Sequence, residues 1–453
     1  MDKTSCFKIV YAKNYEFLIR NLKAHMKDLI KPEKFPFFYG WVIIFAGTVG
    51  MVMSIPGQTM GISVFTEDFI KSLKIDRTSL SQTYLVGTLC SASVITYFGG
   101  LYDKWGAKAM IVCICFFMSL ALIYLSELEQ IQQFGSHYLN INALTFILFC
   151  IGFFIIRLTG QGLMTTVSRS MMSKWFDVKR GLVLSISTII SSFIFSASPT
   201  FFKNCINTYG WQSTLFGMAL VICPGMLVFG YLFFKDNPEK YGLHMDGLSN
   251  KIETNDQTDS KEKNVTLSEA VKTLTFWTYA ITFTIPSLYG TAFVFHHVAV
   301  GKEFGFSSEE MGLMFLPIAV ASAITSFISG VLSDKISLHT ILKTLLISII
   351  ISLICLPYFD HPIGNAGLLI ALGTSQGLFL TLMSVTWPKL FGRESLGKIS
   401  SFGMAWVVFG SALGPYIFAL SFEYTGSFVF GTLLLLPIPL TLLVLTFYLP
   451  KHK

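Results

Sequence analysis

The sequence predicts an all-α polytopic membrane protein, with twelve transmembrane helices in two pseudo-symmetric six-helix halves. Three observations predict it: a shortage of charge, a succession of apolar runs of membrane length, and short motifs that recur in the same order at offsets of about 215 to 231 residues. Of 453 residues, 53% are hydrophobic and 13% charged, with a mean hydropathy of +0.62. A soluble domain carries roughly 25% charged residues. Too few charges exist here to cover a water-facing surface, which all but excludes a soluble enzyme of this size.

Runs of about 20 apolar residues mark candidate spans. Six occur near 38 to 64, 80 to 101, 109 to 126, 142 to 168, 181 to 202 and 212 to 234. After a polar stretch, six more occur near 275 to 298, 311 to 332, 341 to 359, 363 to 387, 399 to 422 and 427 to 449. Hydrocarbon offers no partner for a free backbone N–H or C=O, and these runs are too long for barrel strands, so each is expected to be helical. The organisation follows: an arm over 1–37, a half over 38–234, a linker over 235–274, a second half over 275–449 and a tail over 450–453.

Basic residues in short loops orient such a chain. With the N-terminus inside, the inner loops hold Lys104, Lys108, Arg169, Lys174, Lys179, Arg180, Lys335, Lys343, Lys389, Arg393 and Lys398, against Lys71, Lys74, Arg77, Lys203 and Lys302 outside. Both termini are expected to be cytoplasmic, in a plasma or inner membrane. The net charge of +7 is thereby a topology signal, and nucleic acid is not an expected partner. The arm places Leu18, Leu22, Met26 and Leu29 or Ile30 at helical spacing among lysines, which suits either a helix on the membrane surface or a solvated tail. The segment Lys251 to Lys263 lacks apolar periodicity and reads as a flexible linker. The cysteines form no CxxC pair and have no His partners at metal spacing, so no metal or other cofactor is implied.

Three matches in order relate the halves. Ile55-Pro56 pairs with Ile285-Pro286; GGLYDKWG at 99–106 pairs with SGVLSDKI at 329–336; Gln161-Gly162-Leu163 with Lys174 pairs with Gln376-Gly377-Leu378 with Lys389. On these residues the chain resembles the major facilitator superfamily of secondary transporters over about residues 38 to 449. Gly99, Gly100, Asp103, Lys104, Gly106 and Lys108 resemble that family's loop between helices 2 and 3, with a degenerate copy at Gly330, Asp334 and Lys335. Arg157, Gln161 and Gly162 resemble its helix-4 signature. Asp103, Lys104, Asp334 and Lys335 are therefore expected to gate, pinning helix ends by charge–dipole and ion-pair contacts that release when the halves rock. Tyr39-Gly40-Trp41, Pro56 to Thr59, Trp175-Phe176 with Arg180-Gly181, and Asn237-Pro238-Glu239 are similar to the monocarboxylate and oxalate/formate branch. The basic residues of that branch's C-terminal half have no counterpart in PIAVASAITSFISG or FGMAWVVFGSALGP.

A charge within a span is costly and marks function. By the run boundaries above, Arg157 is the one fixed charge well inside a span, with His296 and His297 near the outer end of the seventh. Arg157 either attracts an anionic solute or serves as a hub for backbone carbonyls and hydroxyls. One cavity-facing His, His296, is a candidate proton carrier. Gln58 and Thr59, beside a Pro-Gly pair able to break a helix, join Gln161, Tyr289, Gln376 and Trp406 as candidate cavity residues. Trp387 reads as an interfacial anchor. The expected activity is transport of a small polar or anionic, carboxylate-bearing solute by alternating access, with H+ as candidate coupling ion and a monomer sufficient. The rival readings are a non-transporting receptor or scaffold, or a transporter of amino acids, siderophores or drugs.

Overall fold

The structure is a computed structural model, and it describes residues 30–135, 140–247 and 265–450. The helical reading of the arm and the flexible reading of 251–263 fall outside the described residues. All regular structure among the described residues is helical. The spans are α1 (Gly40–Met53), α2 (Arg77–Trp105), α3 (Ala107–Ser126), α4 (Ile141–Trp175), α5 (Arg180–Tyr209) and α6 (Trp211–Phe233). The second half contributes α7 (Leu274–Glu303), α8 (Phe315–Ser333), α9 (Leu338–Cys355), α10 (Pro362–Phe391), α11 (Leu396–Thr425) and α12 (Val429–Leu445). Eight of these are long and apolar enough to cross a membrane by length and composition alone, and the shorter apolar helices and α7 complete twelve.

The first run is interrupted rather than continuous. After α1 the chain tightens into a 3-10 turn at Ile55–Gly57, extends at Gln58 (φ −83, ψ 156) and restarts as a short helix, Thr59–Ser63. Proline removes one helical N–H, and Gly57 has no side chain to hold the coil in place. The equivalent Pro286 leaves α7 helical from end to end, so the repeat breaks in one half only. There Ser287 follows the proline, and its hydroxyl donates to Val407 O on α11.

Helix α4 is longer than its apolar run. It continues through a π-helical stretch at Arg157–Met164 and on to Trp175, 35 residues in all. At about 1.5 Å per residue it outreaches a hydrocarbon core of about 30 Å. Arg169 and Lys174, expected in a loop, therefore lie within the helix, because its last turns stay packed against α10 and α11.

The halves meet through exchanged neighbours: α2 packs along α11, and α5 packs along α8. The start of the linker shares a face with the α2–α3 turn, where Asp236 Oδ1 accepts from Ala107 N at 2.8 Å. The chain's far end joins the start of α9, where Pro450 O lies 2.9 Å from His339 Nε2. This side is called the linker face below.

Candidate solute site and gate

At the linker face two carboxylates reach across the halves to helix N-termini. Asp103, at the end of α2, accepts from Gly397 N at 2.7 Å and Lys398 N at 2.8 Å, the first turn of α11. Asp334, just past α8, accepts from Gly181 N at 3.0 Å and Leu182 N at 3.1 Å, the first turn of α5. The free N–H groups and the positive end of the helix dipole make such a terminus an anion receptor. Close helix crossings permit both contacts. A Cβ on Gly397 would stand 2.7 Å from Gly99 O, and one on Gly330 2.9 Å from Gly181 O.

The two clamps differ in their counter-charges. Lys389 pairs with Asp334 Oδ1 at 2.9 Å and also donates to Ser333 O. Lys104 and Lys335, the other expected gate residues, are exposed at the rim. Additional contacts tie the same face. Arg393 donates to Lys174 O at 2.7 Å and pairs with Glu239 at 2.8 Å, and Ser173 Oγ donates to Ser384 O at 3.1 Å. Asp236 anchors the linker's start between Lys240 and the α3 N-terminus. Burial pushes its carboxyl up, but Lys174, Lys240 and the Ala107 N–H outweigh burial and hold it below the ordinary carboxylate value.

Deeper in the N-terminal half, the interrupted α1 meets the π-helical part of α4. A Cβ on Gly57 would stand 2.6 Å from Gly160 Cα, so the two backbones touch without side chains between them. This brings Gly57 O within reach of Arg157, whose Nη1 donates to it at 3.1 Å and to Thr59 Oγ1 at 3.3 Å. Thr59 in turn lies 2.8 Å from the Tyr84 hydroxyl, and the guanidinium carbon sits 5.0 Å from the centre of the Tyr84 ring. Arg157 is fully buried, yet among the described residues its Nε and Nη2 find no acceptor, and Gln161 Oε1 finds no donor. Gln58 donates to Ser54 Oγ at 3.0 Å. Four of the expected solute residues, Gln58, Thr59, Arg157 and Gln161, are thus gathered at one helix break.

The remaining four lie elsewhere, in the C-terminal half. Tyr289 is buried, and its hydroxyl donates to Ser352 O on α9 at 3.3 Å. His296 Nε2 lies 2.9 Å from Pro415 O on α11, while His297 Nδ1 lies 2.8 Å from Val294 O in its own helix. Gln376 is exposed on α10. Trp406 packs edge-on against Trp277, ring centres 5.5 Å apart. Trp387 is 1% exposed, packed among Phe276, Phe283 and Phe391, rather than anchored at a membrane surface. Its position beside Pro388 and Lys389 suggests an interface only if α10 ends there, and the helix continues to Phe391.

Sequence reasoning missed Tyr84, the Gly57–Gly160 contact, and Gly181 and Gly397 as clamp partners. The last pair carried a signal, since Arg180-Gly181 and Leu396-Gly397 each open a fifth helix of a half.

The family model for the Major Facilitator Superfamily matches residues 47–415. The chain belongs to that superfamily. It is a multi-pass membrane protein with the architecture of that transporter superfamily. Among solved structures it is similar in fold to the proton:xylose symporter XylE bound to a bromodeoxyglucose, at 13% identity and TM-score 0.63, covering 92% of this chain and 97% of that one. It is also similar to the human organic anion transporter MFSD10, at 13% identity and TM-score 0.59, covering 89% and 99%. A third is the fucose:proton symporter FucP of E. coli, at 12% identity and TM-score 0.60, covering 91% and 98%. No curated protein matches in sequence. The match is to the superfamily as a whole, and it does not single out the monocarboxylate and oxalate/formate branch.

Proposed function

We propose that this superfamily member is a secondary active transporter that moves a small polar or anionic, carboxylate-bearing solute by alternating access, with the linker face cytoplasmic. The observation that carries this reading is the matched pair of clamps. Asp103 on the α11 N-terminus and Asp334 on the α5 N-terminus join two pseudo-symmetric halves by a few polar contacts at one face. Such contacts close one side of a central path and are reversible, because each is a surface-proximal charge–dipole bond rather than a packed core.

The anionic solute class rests on Arg157. It is a buried cation with two nitrogens unsatisfied among the described residues, and it donates to neutral oxygens, Gly57 O and Thr59 Oγ1. The same guanidinium fastens Gly57 O, so solute arrival and the shape of the α1 break are coupled through one side chain. The proteins of similar fold include sugar:proton symporters and an organic anion transporter, which accommodates H+ as the coupling ion without choosing the solute. His296 is the proposed proton carrier: it bridges α7 to the carbonyl of Pro415, a bond that its protonation state and the motion of α11 both affect.

The test is solute-induced thermal stabilisation of the purified full-length chain across carboxylates, amino acids and neutral sugars, followed by counterflow in proteoliposomes with each hit. A carboxylate that stabilises and exchanges, and does neither in folded Arg157→Ala, supports the reading. Counterflow of neutral solutes alone overturns the anionic class, and binding without any flux favours the receptor reading.

A further inference from the structure

A second basic residue lies closer to the linker face than Arg157 and is used by neither the gate nor the solute site. Arg169 projects from the last turns of α4 toward the opposite half, where a cavity of about 20 Å³ sits between α4, α10 and α11. Polar lining groups come from both halves, among them Arg169, Ser170 and Ser173 from α4, and Ser384, Trp387 and Ser400 from α10 and α11. Among the described residues no acidic side chain lines it. Among the described residues Arg169 has no hydrogen-bonded or ion-paired partner, and its Nε is buried without an acceptor. Trp387, itself 1% exposed, also lines the cavity with its indole N–H unsatisfied.

Two buried N–H donors beside one small void, the Nε of half-buried Arg169 and the indole Nε1 of Trp387, lack an acceptor among the described residues, and a buried donor without one costs about 1–3 kcal/mol. A water molecule supplies acceptor capacity but no charge. A compact anion supplies both, and a void of this size admits an occupant of about one water-sized sphere. We propose that this cavity is a site for a halide-sized monovalent anion, held between Arg169 of the N-terminal half and the Trp387 N–H of the C-terminal half. Because its two ligating groups sit on opposite halves, the bound anion stabilises the arrangement in which the linker face is closed. The site is separate from Arg157 and does not depend on the identity of the transported solute.

The test is the melting temperature of the purified full-length protein titrated with chloride at constant ionic strength, sodium gluconate making up the balance. A saturable rise with chloride is expected. Arg169→Gln and Trp387→Phe should each move its midpoint at least tenfold higher, and Arg157→Gln should leave it in place. Trp387→Phe keeps a ring in the aromatic cluster and serves alone if Arg169→Gln does not fold. A melting temperature indifferent to the chloride-for-gluconate exchange overturns the proposal, since the void then holds water only. So does a chloride effect that survives both substitutions, or one lost in Arg157→Gln, which places the anion at the solute site instead.

Discussion

Replacing the two clamp aspartates by asparagine should open the linker face without unfolding the protein. Each carboxylate accepts two backbone N–H bonds, at 2.7 and 2.8 Å for Asp103 and at 3.0 and 3.1 Å for Asp334. Asparagine keeps one acceptor oxygen, places an NH2 against the second backbone N–H and removes the charge from the helix terminus. Hydrogen bonds to charged groups contribute about 1.5–3 kcal/mol each, and the charge–dipole contact about 0.3–1 kcal/mol. A loss of about 2 kcal/mol at Asp103 is a reasonable net figure once the retained bond is credited. Asp334 should lose about 3 kcal/mol, because Lys389 also forfeits its partner. Both act on the same two-state equilibrium, so together they shift it by about 5 kcal/mol, or three to four orders of magnitude.

The assay is the distance between spin labels on exposed Val178 of the first half and exposed Ile336 of the second, in a cysteine-free background. The closed population should dominate the parent. Asp103→Asn should populate a longer distance, Asp334→Asn more of it, and the double variant should be almost wholly long. An unchanged distance distribution in a folded double variant would refute the clamp reasoning.

Three further predictions concern other parts of the structure. Gly160→Ala puts a Cβ about as close to Gly57 Cα as Gly57's would be to Gly160, at 2.6 Å. It should lower stability by about 1–3 kcal/mol by overpacking, read as a fall in melting temperature, with flux lost because the α1 break is displaced; wild-type behaviour would disprove the backbone contact. Arg157→Lys keeps the charge but shortens the side chain, pulling the donor back from the Nη1 position that serves both Gly57 O and Thr59, and removes the Nε and Nη2 donors left over for a solute. It should cut flux at least tenfold while preserving the fold, and full flux would remove any role specific to the guanidinium. Asp236 is held below the ordinary carboxylate value, so its contribution is full above about pH 4 and is lost as pH falls through the depressed value. Asp236→Asn should therefore lower the melting temperature at pH 7 and narrow its gap to the parent in strong acid, whereas a gap that widens on acidification would reverse the sign of the shift.

The twelve-helix pattern was legible because lipid imposes a local rule: each span must satisfy its own backbone, so length and composition suffice. The α1 break was legible too, from Pro56-Gly57, but its absence at Pro286 was not. Whether a proline breaks a helix depends on what packs against the freed groups, and Ser287 against Val407 O is a contact 120 residues apart in sequence. Arg169 was assigned to a loop because apolar counting ends α4 where the run ends, whereas a helix continues as long as a partner covers it. The solute candidates divided on the same ground. Gln58, Thr59, Arg157 and Gln161 share one break, while Tyr289 and Trp406 turn toward neighbours within their own half.

What the sequence determined by itself was the solvent, the number of crossings, the two-fold repeat and the carboxylates at the ends of α2 and α8. These follow from hydrophobicity, period and short-range motifs, each confined to one stretch of chain. Only the tertiary structure decided which helix N-termini those carboxylates grip, that Gly57 and Gly160 touch, and that Arg157 meets Tyr84. Each of these joins residues from distant parts of the sequence, and their approach is set by side-chain volume and crossing angle across a packed interface, which no single stretch of chain encodes.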